Sequence, residues 1–418
     1  MNFIIESKDP KDLDILRERI SKIKSRYTFS HFSLLDKFKN EGINELDAFN
    51  SEEFERISNR FSFLEIQGAT RIGETIKNVL NIEGLDFVKE VNVNFADTKE
   101  TFIDFRAINN STYRQLIFDM IGFSHQFFSG VLENQNQIIA VADTGVDHTN
   151  EKLKPNLWFD PTVNSHGFNL TTANGNDFFN VYDDTSTNNK RGHGTAVSSI
   201  IGKNTLSSEG VGILPSSFKI LNLKVFPGHK SSFTQTCLAL VFAGLMGASV
   251  VNCSWGIPKI QNQPKLVQLL DRVLLFLKEK NCIPVFAAMN DRKKVSNIFP
   301  QNSEHVITVG SVTHDLERAE DSNWGNEIDI WAPGENIHVM KARKLDATKY
   351  TLESGTSMAA PFVSSAIALL KSKNSSLAID DIKKILTESG TLIEIDKSAH
   401  KVRLLNIQEA LAYLQNNY

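Results

Sequence analysis

Apolar residues between positions 138 and 331 fall into short continuous runs, which alternate with segments that have apolar residues at helical spacing. A continuously apolar strand is buried on both faces, as in a parallel sheet that is covered by helices. The pattern therefore predicts an α/β fold with a mostly parallel central sheet. The predicted strands are 138–142, 219–225, 249–253, 283–288, 306–309 and 328–331.

Helical spacing predicts three helices between these strands and three more after the last strand. In an open sheet of this kind, a functional site lies outside the carboxyl ends of the parallel strands. Residues that follow the strands are therefore the first place to look for chemistry. The predicted helices are 194–201, 234–246, 264–280, 358–371, 379–386 and 407–414.

The first hundred residues follow another pattern, with strands and helices in the order β-α-β-β-α-β. Within it, segment 91–95 alternates apolar and polar residues, which is typical of a strand with one buried face. The order is that of a split βαβ unit, so we expect a small α+β, ferredoxin-like domain over residues 1–100. The predicted strands are 2–6, 27–35, 61–66 and 91–95, and the predicted helices start at Asp9-Pro10 and cover 72–80.

Mixed polar and aromatic residues follow this domain and predict a linker over residues 101–110. The remainder, residues 111–418, then forms the larger α/β domain. A chain of 418 residues is long enough to bury a large core in such an arrangement.

Composition places the chain among ordinary soluble globular proteins, with 41% hydrophobic and 22% charged residues. The net charge of −4 gives no electrostatic reason to expect a nucleic acid or an anionic membrane as partner. Residues 1–6 are too short and too soon charged for a signal peptide, and the three cysteines lie in apolar segments. These features predict a cytoplasmic protein without disulfides, and they leave secretion by a non-standard route open.

Four polar residues suited to catalysis occupy special positions in this pattern. Asp143 and Asn290 follow predicted strands, and His193 stands between two glycines where a helix begins. Ser357 lies where a turn containing Gly355 becomes a helix, so free backbone N–H groups and the positive end of the helix dipole surround its hydroxyl. Each position alone also fits a cap or turn residue. Together they offer an acid, a base, a nucleophile and an amide donor.

The segments around these residues resemble those of the subtilisin-like serine proteases (subtilases, peptidase S8 type). The resemblance covers roughly residues 111–415, and the order Asp, His, Ser differs from that of chymotrypsin-like and α/β-hydrolase triads. It implies a subtilisin-like three-layer fold. The matching segments are Asp143-Thr144-Gly145, Gly192-His193-Gly194-Thr195, Val211-Gly212-Ile213-Leu214-Pro215, residues 252–256, Trp331-Ala332-Pro333-Gly334 and Gly355-Thr356-Ser357-Met358-Ala359.

The resemblance implies a serine endopeptidase that acts on peptides or proteins and needs no cofactor. It assigns His193 as general base and acid, Asp143 as its orienting carboxylate and Ser357 as nucleophile. The oxyanion would be held by the Asn290 amide and the Ser357 N–H. The substrate-binding residues that it implies are Ser254, Trp255, Gly256, Ala287 and Met289.

Several positions depart from the family pattern. Met289 replaces the usual glycine before the oxyanion asparagine, which predicts a narrower specificity pocket. Lys152 and Leu206 stand where oxygen ligands of a structural calcium ion are usual, so we expect no metal there. A second, polar cluster of Asp177, Asp183 and Asp184 is either another cation site or simply solvated.

Residues 1–100 resemble the N-terminal pro-segment of these proteases, an inhibitor of the I9 type. Such a segment is expected to occupy the protein's own active-site cleft and to assist folding, with self-cleavage between about residues 101 and 111. The alternative hypothesis is a catalytically silent pseudoprotease that binds peptides and uses an N-terminal adaptor domain.

Overall fold

The structure is a computed structural model in which the chain forms two compact units. One consists of Met1–Asn92, Thr172–Phe178 and Ser232–Thr234, and the other of Val93–Thr171, Phe179–Ser231 and Gln235–Tyr418. The structure describes residues 2–7, 13–16, 18, 28–33, 61–67, 85–89, 92–95, 99–101, 110–124, 137–171, 177–183, 192–202, 210–227, 230–258, 264–342, 350–395 and 400–418.

The smaller unit contains a four-stranded antiparallel sheet in the order β2-β3-β1-β4. Its first three strands confirm the predicted ones, and residues 13–16 are helical as expected. The predicted helix 72–80 lies outside the described residues. The strands are β1 (Asn2–Ser7), β2 (Thr28–Ser33), β3 (Phe61–Gln67) and β4 (Leu85–Lys89).

The fourth strand of this sheet differs from the prediction. It is β4, whereas the alternating segment 91–95 forms a separate strand, β5 (Asn92–Phe95). From Val93 onwards this strand belongs to the larger unit, so the division falls at residue 92 and not at residue 100. Alternation of apolar and polar residues indicates that a strand has one buried face, but not which strand it pairs with.

The larger unit is built on a nine-stranded sheet in the order β19-β20-β16-β15-β13-β11-β7-β9-β8. Its strands are parallel except β19, which pairs antiparallel with β20. The mostly parallel sheet is confirmed. The strands are β7 (Ile138–Asp143), β8 (Gly167–Asn169), β9 (Lys219–Lys224), β11 (Val250–Cys253), β13 (Ile283–Ala287), β15 (Ile307–Val312), β16 (Ile330–Pro333), β19 (Thr391–Ile395) and β20 (His400–Leu404).

Short strands outside this sheet form further pairs. β12 pairs antiparallel with β14 on one side and with β5 on the other, and β18 pairs with β17 and with β6. The remaining strands are β6 (Lys99–Thr101), β10 (Lys230–Ser232), β12 (Trp255–Pro258), β14 (Ile298–Phe299), β17 (Ile337–Met340) and β18 (Tyr350–Ser354).

The helices include all six that the apolar spacing predicts, with ends that differ by three residues or fewer. Within the described part of the larger unit a further helix, α1, falls where the sequence pattern changes from linker to domain. The helices are α1 (Asn110–Met120), α2 (His193–Ile201), α3 (Phe233–Leu245), α4 (Pro264–Glu279), α5 (Thr356–Lys373), α6 (Ile379–Ser389) and α7 (Ile407–Asn417). No helix among the described residues is long and apolar enough to span a membrane.

Helix α5 lies at the centre of the larger unit. Its residues from Thr356 to Lys371 are buried, and it packs against α2 and against four strands of the sheet, β11, β13, β15 and β16. A helix buried all round needs apolar residues on every side, which explains its long apolar run. The position of its first residues is therefore fixed by the core.

Phe362 tests the central position of α5, because its side chain is fully buried. Phe362→Ala should lower the free energy of unfolding by about 3–5 kcal/mol, since burial of the ring is lost and a cavity is left. Denaturant unfolding followed by tryptophan fluorescence measures the change. Leu392, 50% exposed, is the matched control, and its replacement by Ala should change stability by less than about 0.5 kcal/mol. Equal effects of the two substitutions would contradict this placement.

Candidate active site

Asp143 is the last residue of β7, which lies between its parallel neighbours β9 and β11 in the sheet. The side chain is 1% exposed, and its Oδ1 accepts a hydrogen bond of 2.8 Å from the backbone N–H of Thr144. A buried carboxylate needs such donors, because burial without them is costly. The strand end thus fixes the direction of the carboxylate.

His193 is the first residue of α2 and lies against Asp143. Its Nδ1 is 2.9 Å from Oδ1 and 3.1 Å from Oδ2 of the carboxylate. Because an ionised carboxylate only accepts hydrogen bonds, Nδ1 is the donor, and it holds a hydrogen. Gly192, which precedes the helix, has a φ of 59° in the left-handed region that favours glycine.

The pKa of His193 results from opposing effects. Burial lowers this pKa, whereas the charge of Asp143 and its hydrogen bond raise it, and the carboxylates of Glu353 and Asp183 raise it further. The balance leaves the pKa of His193 above its ordinary value of 6.5. The buried surroundings of the imidazole are thus dominated by negative charge.

Ser357 lies in the first turn of α5 and is fully buried. Gly355, just before the helix, has a φ of 149° and donates a hydrogen bond of 2.7 Å to the Gly334 carbonyl. Helices α2 and α5 pack against each other. The charge of Glu353, four residues before Ser357, acts on His193, so the start of α5 and the start of α2 lie in the same region.

Asn290 joins this group from a third element. It follows β13, and its Oδ1 accepts a hydrogen bond of 2.9 Å from the backbone N–H of Thr356, next to Ser357. The amide is thereby tied to the first turn of α5. The structure thus joins Asp143 to His193 at the start of α2, and Asn290 to the first turn of α5 that contains Ser357, and these two helices pack against each other.

Asn323 supports the turn that contains Asn290, and the sequence analysis missed it. Its fully buried amide donates to the Ala288 carbonyl at 2.8 Å and accepts from the N–H groups of Asp291 and Lys293 at 3.0 and 2.8 Å. Within this turn Met289 has a φ of 74°. No local pattern marks Asn323, because its partners lie about 30 positions earlier in the chain.

The predicted substrate-binding residues lie at the ends of β11, β12 and β13, but two of them direct their side chains into packed surroundings. Trp255 is fully buried, with its ring edge-to-face on Phe286 at 4.8 Å between centroids. Met289 is 4% exposed and belongs to the main hydrophobic core. Ser254 is also fully buried, while Gly256 and Ala287 offer mainly backbone.

Gln301 lies between β12 and β13, and the sequence analysis did not predict its role. Its Nε2 donates hydrogen bonds of 2.9 Å to the carbonyls of both Trp255 and Ala287, and the residue is 1% exposed. A Cβ placed on Gly256 would lie 2.7 Å from Nε2 and 3.1 Å from Cγ2 of Ile298. The space between β12 and β13 is therefore occupied by the side chains of Gln301 and Ile298.

The residues that the sequence analysis considered for two cation sites can be placed only in part. Lys152 is exposed, Leu206 and Asp184 lie outside the described residues, and both carboxylate oxygens of Asp183 accept hydrogen bonds from threonines. Among the described residues, no three His, Cys, Asp or Glu side chains are grouped so as to hold a metal ion.

Comparison with known proteins gives consistent results. The family model of the subtilases (peptidase S8) matches residues 134–404. The chain is 24% identical over 377 residues to the thermophilic serine proteinase of Bacillus sp. strain AK1, covering 90% of this chain and 84% of that protein. It is 30% identical over 247 residues to the major intracellular serine protease of Bacillus subtilis strain 168, covering 58% and 70%.

Solved structures show the same fold. The epidermin leader peptide processing serine protease of Staphylococcus aureus superposes with a TM-score of 0.70 at 21% identity, covering 100% of this chain and 99% of that one. Fervidolysin of Fervidobacterium pennivorans gives a TM-score of 0.70 at 18% identity, covering 98% and 60%. The α/β fold is therefore subtilisin-like, as the sequence motifs implied. The family match extends over most of the larger unit and includes all four clustered polar residues, and the chain accordingly belongs to the subtilase family of serine peptidases, hydrolases that act on peptides and proteins.

Proposed function

We propose that the chain is a serine endopeptidase in which Asp143, His193 and Ser357 form the catalytic triad. The observation that supports this most directly is the buried Asp143–His193 hydrogen bond at the carboxyl edge of the sheet, beside the helix start that contains Ser357. The Nδ1 hydrogen faces the carboxylate, so Nε2 of the neutral imidazole is the ring nitrogen that can accept a proton.

The reaction follows from these positions. Ser357 Oγ attacks the scissile carbonyl carbon while its proton passes to Nε2 of His193, and the carbonyl π electrons move to oxygen. The C–N bond then breaks, with the proton passing from Nε2 to the leaving amine, which leaves an ester on Ser357. In the second half of the reaction, water attacks the ester carbon and gives its proton to Nε2. The bond to Ser357 Oγ then breaks, Oγ takes the proton back from Nε2, and the carboxylic acid product leaves. Asp143 stabilises the imidazolium in both halves.

The oxyanion is proposed to bind the side-chain amide of Asn290 and the backbone N–H of Ser357. The bond from the Thr356 N–H holds Oδ1 of Asn290, so the Nδ2 hydrogens are the ones left to donate. Loss of one such donor costs about 10²–10³ in turnover, a magnitude measured for subtilisin.

Ser357→Ala should abolish peptide hydrolysis and labelling by a fluorophosphonate probe, because only an activated serine reacts with the probe. His193→Ala should lose nearly as much, since the triad acts as a unit. Ser375, exposed on the loop after α5, is the control, and its replacement by Ala should leave both rates unchanged. Labelling of a folded Ser357→Ala protein at the normal rate would exclude Ser357 as nucleophile. A chain that stays unlabelled even when the pairing of β5 with β12 is disrupted would favour the peptide-binding alternative.

We also propose that the N-terminal part of the chain restrains the cleft. This is supported by β5, an extended segment paired antiparallel with β12, in which Phe95 lies opposite Trp255 and Asn94 opposite Gly256. A peptide that adds a strand to an exposed edge binds through its backbone, as a substrate of this cleft would. In this proposal the N-terminal domain is an intramolecular inhibitor and folding aid, and self-cleavage falls between about residues 101 and 111.

Proline in β5 tests this restraint in the full chain. Asn94→Pro and Phe95→Pro each remove a backbone N–H and disfavour the paired geometry. Fluorophosphonate should therefore label Ser357 faster than in the wild type. Asn94→Ala keeps the backbone donor and is the matched control, with labelling at the wild-type rate. Intact mass is measured in parallel, and equal rates for all uncleaved proteins would refute the restraint.

The occupied space between β12 and β13 predicts the substrate preference. A peptide paired along β12, with its scissile carbonyl at Asn290, directs its preceding side chain towards the space that Gln301 and Ile298 fill. We therefore propose cleavage after small residues. Gln301→Ala should allow cleavage after Phe and Tyr. We expect kcat/KM for such peptides to rise by about 10–200-fold, the scale of a small steric change in an apolar pocket. Gln301→Met keeps the bulk and should keep the preference. A peptide-library digest compares the variants, and identical profiles would disprove this role of Gln301.

A further inference from the structure

Asp183, which the sequence analysis grouped with a candidate cation cluster, has another set of partners. The side chain is 1% exposed. Its Oδ1 accepts a hydrogen bond of 2.7 Å from the hydroxyl of Thr144, and its Oδ2 accepts one of 2.8 Å from the backbone N–H of Thr195. The Thr195 hydroxyl also donates to Oδ2. Both oxygens of the carboxylate are thus used by two residues from different segments.

These two threonines flank the proposed catalytic pair. Thr144 directly follows Asp143, and Thr195 lies two residues after His193. Asp183 therefore connects the loop after β7 to the first turn of α2, the two segments whose separation sets the Asp143–His193 distance of 2.9 Å. We call this arrangement, Thr144–Asp183–Thr195, the latch.

Direct bonds between the two segments complete the latch. The backbone N–H of Gly194 donates to the Thr144 hydroxyl at 2.9 Å, and the N–H of Asp147 donates to the Thr195 hydroxyl at 2.9 Å. A Cβ on Gly194 would lie 2.1 Å from the carbonyl oxygen of Gly145. Loop and helix are therefore in backbone contact, and polar groups hold them there on both sides.

We propose that Asp183 is a positioning residue, whose carboxylate holds the loop of Asp143 against the helix of His193 and thereby aligns the catalytic pair. It acts through Thr144 and Thr195 and touches neither substrate nor reacting atoms. The inference rests on the proposed triad. A misplacement of about 1 Å at a catalytic group can cost about 10²-fold in rate, so an alignment device of this kind has a measurable effect.

The charge of Asp183 matters as well as its shape. Burial and, to a smaller extent, the nearby charge of Asp143 raise the pKa of Asp183 to about 6, against the lowering effect of the hydrogen bonds from Thr195 and Thr144. Among the described residues, the titratable groups that act on it or on which it acts are Asp143 and His193. As the pH falls through about 6, the carboxylate takes up a proton, so that one oxygen becomes a donor and the charge that strengthens the hydrogen bonds from both threonines is lost.

Protonation of His193 and of Asp183 sets the acid limb of the expected rate profile. The active form needs a neutral His193 and an ionised Asp183, so activity falls on acidification through both groups. Removing the Asp183 charge lowers the pKa of His193, because that charge helps to raise it. A neutral residue at position 183 should therefore shift the acid limb of the rate profile to lower pH and make it less steep.

The test compares kcat, KM and the pH profile of kcat/KM in the full chain. Asp183→Asn keeps the size of the side chain and should lower kcat by about 10-fold or more, with KM within about twofold and the acid limb shifted as above. Thr144→Val breaks the latch but leaves the charge, so kcat should fall without a shift of the acid limb to lower pH; any shift should be to higher pH, because the hydrogen bond that is lost normally lowers the pKa of Asp183. Thr144→Ser, which keeps the hydroxyl, should recover most of that loss. Asp177→Asn, a change on the same segment outside the latch, is the control and should behave as wild type.

Each outcome decides between the possibilities. Lower kcat in both latch variants, with the acid limb shifted to lower pH only in Asp183→Asn, supports the proposal. Unchanged kcat in folded Asp183→Asn and Thr144→Val refutes it, as does a lower melting temperature with an unchanged rate profile, which is a purely structural role. Failure of the triad itself is distinguishable, because it would appear as activity retained in Ser357→Ala whatever the latch variants do.

Discussion

The hydrogen bond between Asp143 and His193 constrains much of the larger unit. It joins residues 50 positions apart, and both partners are almost fully buried. A buried carboxylate and imidazole are tolerated only where donors and neighbouring charges satisfy them. The Thr144 N–H, the contact of Gly194 with Gly145 and the threonines around Asp183 are consequences of this requirement. The residues that align the proposed catalytic pair are thus also part of the buried core.

The buried helix α5 and the parallel sheet supply the framework for this bond. Parallel strands direct their carboxyl ends to one edge, so Asp143 after β7 and Asn290 after β13 reach the same side. Helix α5 then places Ser357 there from the interior, because its whole surface is packed. A helix held on all sides cannot shift its first turn without disturbing the core. The proposed nucleophile therefore lies on a helix that the core holds on all sides.

Two buried side-chain amides hold the backbone segments that would form the walls of the proposed cleft. Gln301 bridges the carbonyls of Trp255 and Ala287, and Asn323 holds the turn before Asn290. Trp255 and Met289, which the sequence placed at the pocket surface, belong instead to packed interior layers. The proposed recognition surface therefore consists mostly of backbone, which suits the binding of extended peptides.

The sequence by itself predicted most strands and helices of the larger unit and the four polar residues of the proposed site. Continuous apolar runs revealed buried parallel strands, and helical spacing revealed α2 to α7, because burial on one or both faces leaves a periodic record in the chain. Asp143, His193, Asn290 and Ser357 were recognisable because strand ends, glycines and a helix start occur next to them. These features involve residues that are neighbours in the sequence, so they can be recognised without a structure.

Only the tertiary structure decided which distant groups meet. The pairing of β5 with β12, the roles of Gln301 and Asn323 and the partners of Asp183 all depend on contacts between segments far apart in the chain. A polar residue in sequence does not reveal its hydrogen-bond partner, and an alternating strand does not reveal its neighbour. These choices are made by packing, which selects one arrangement from many that satisfy the same local pattern.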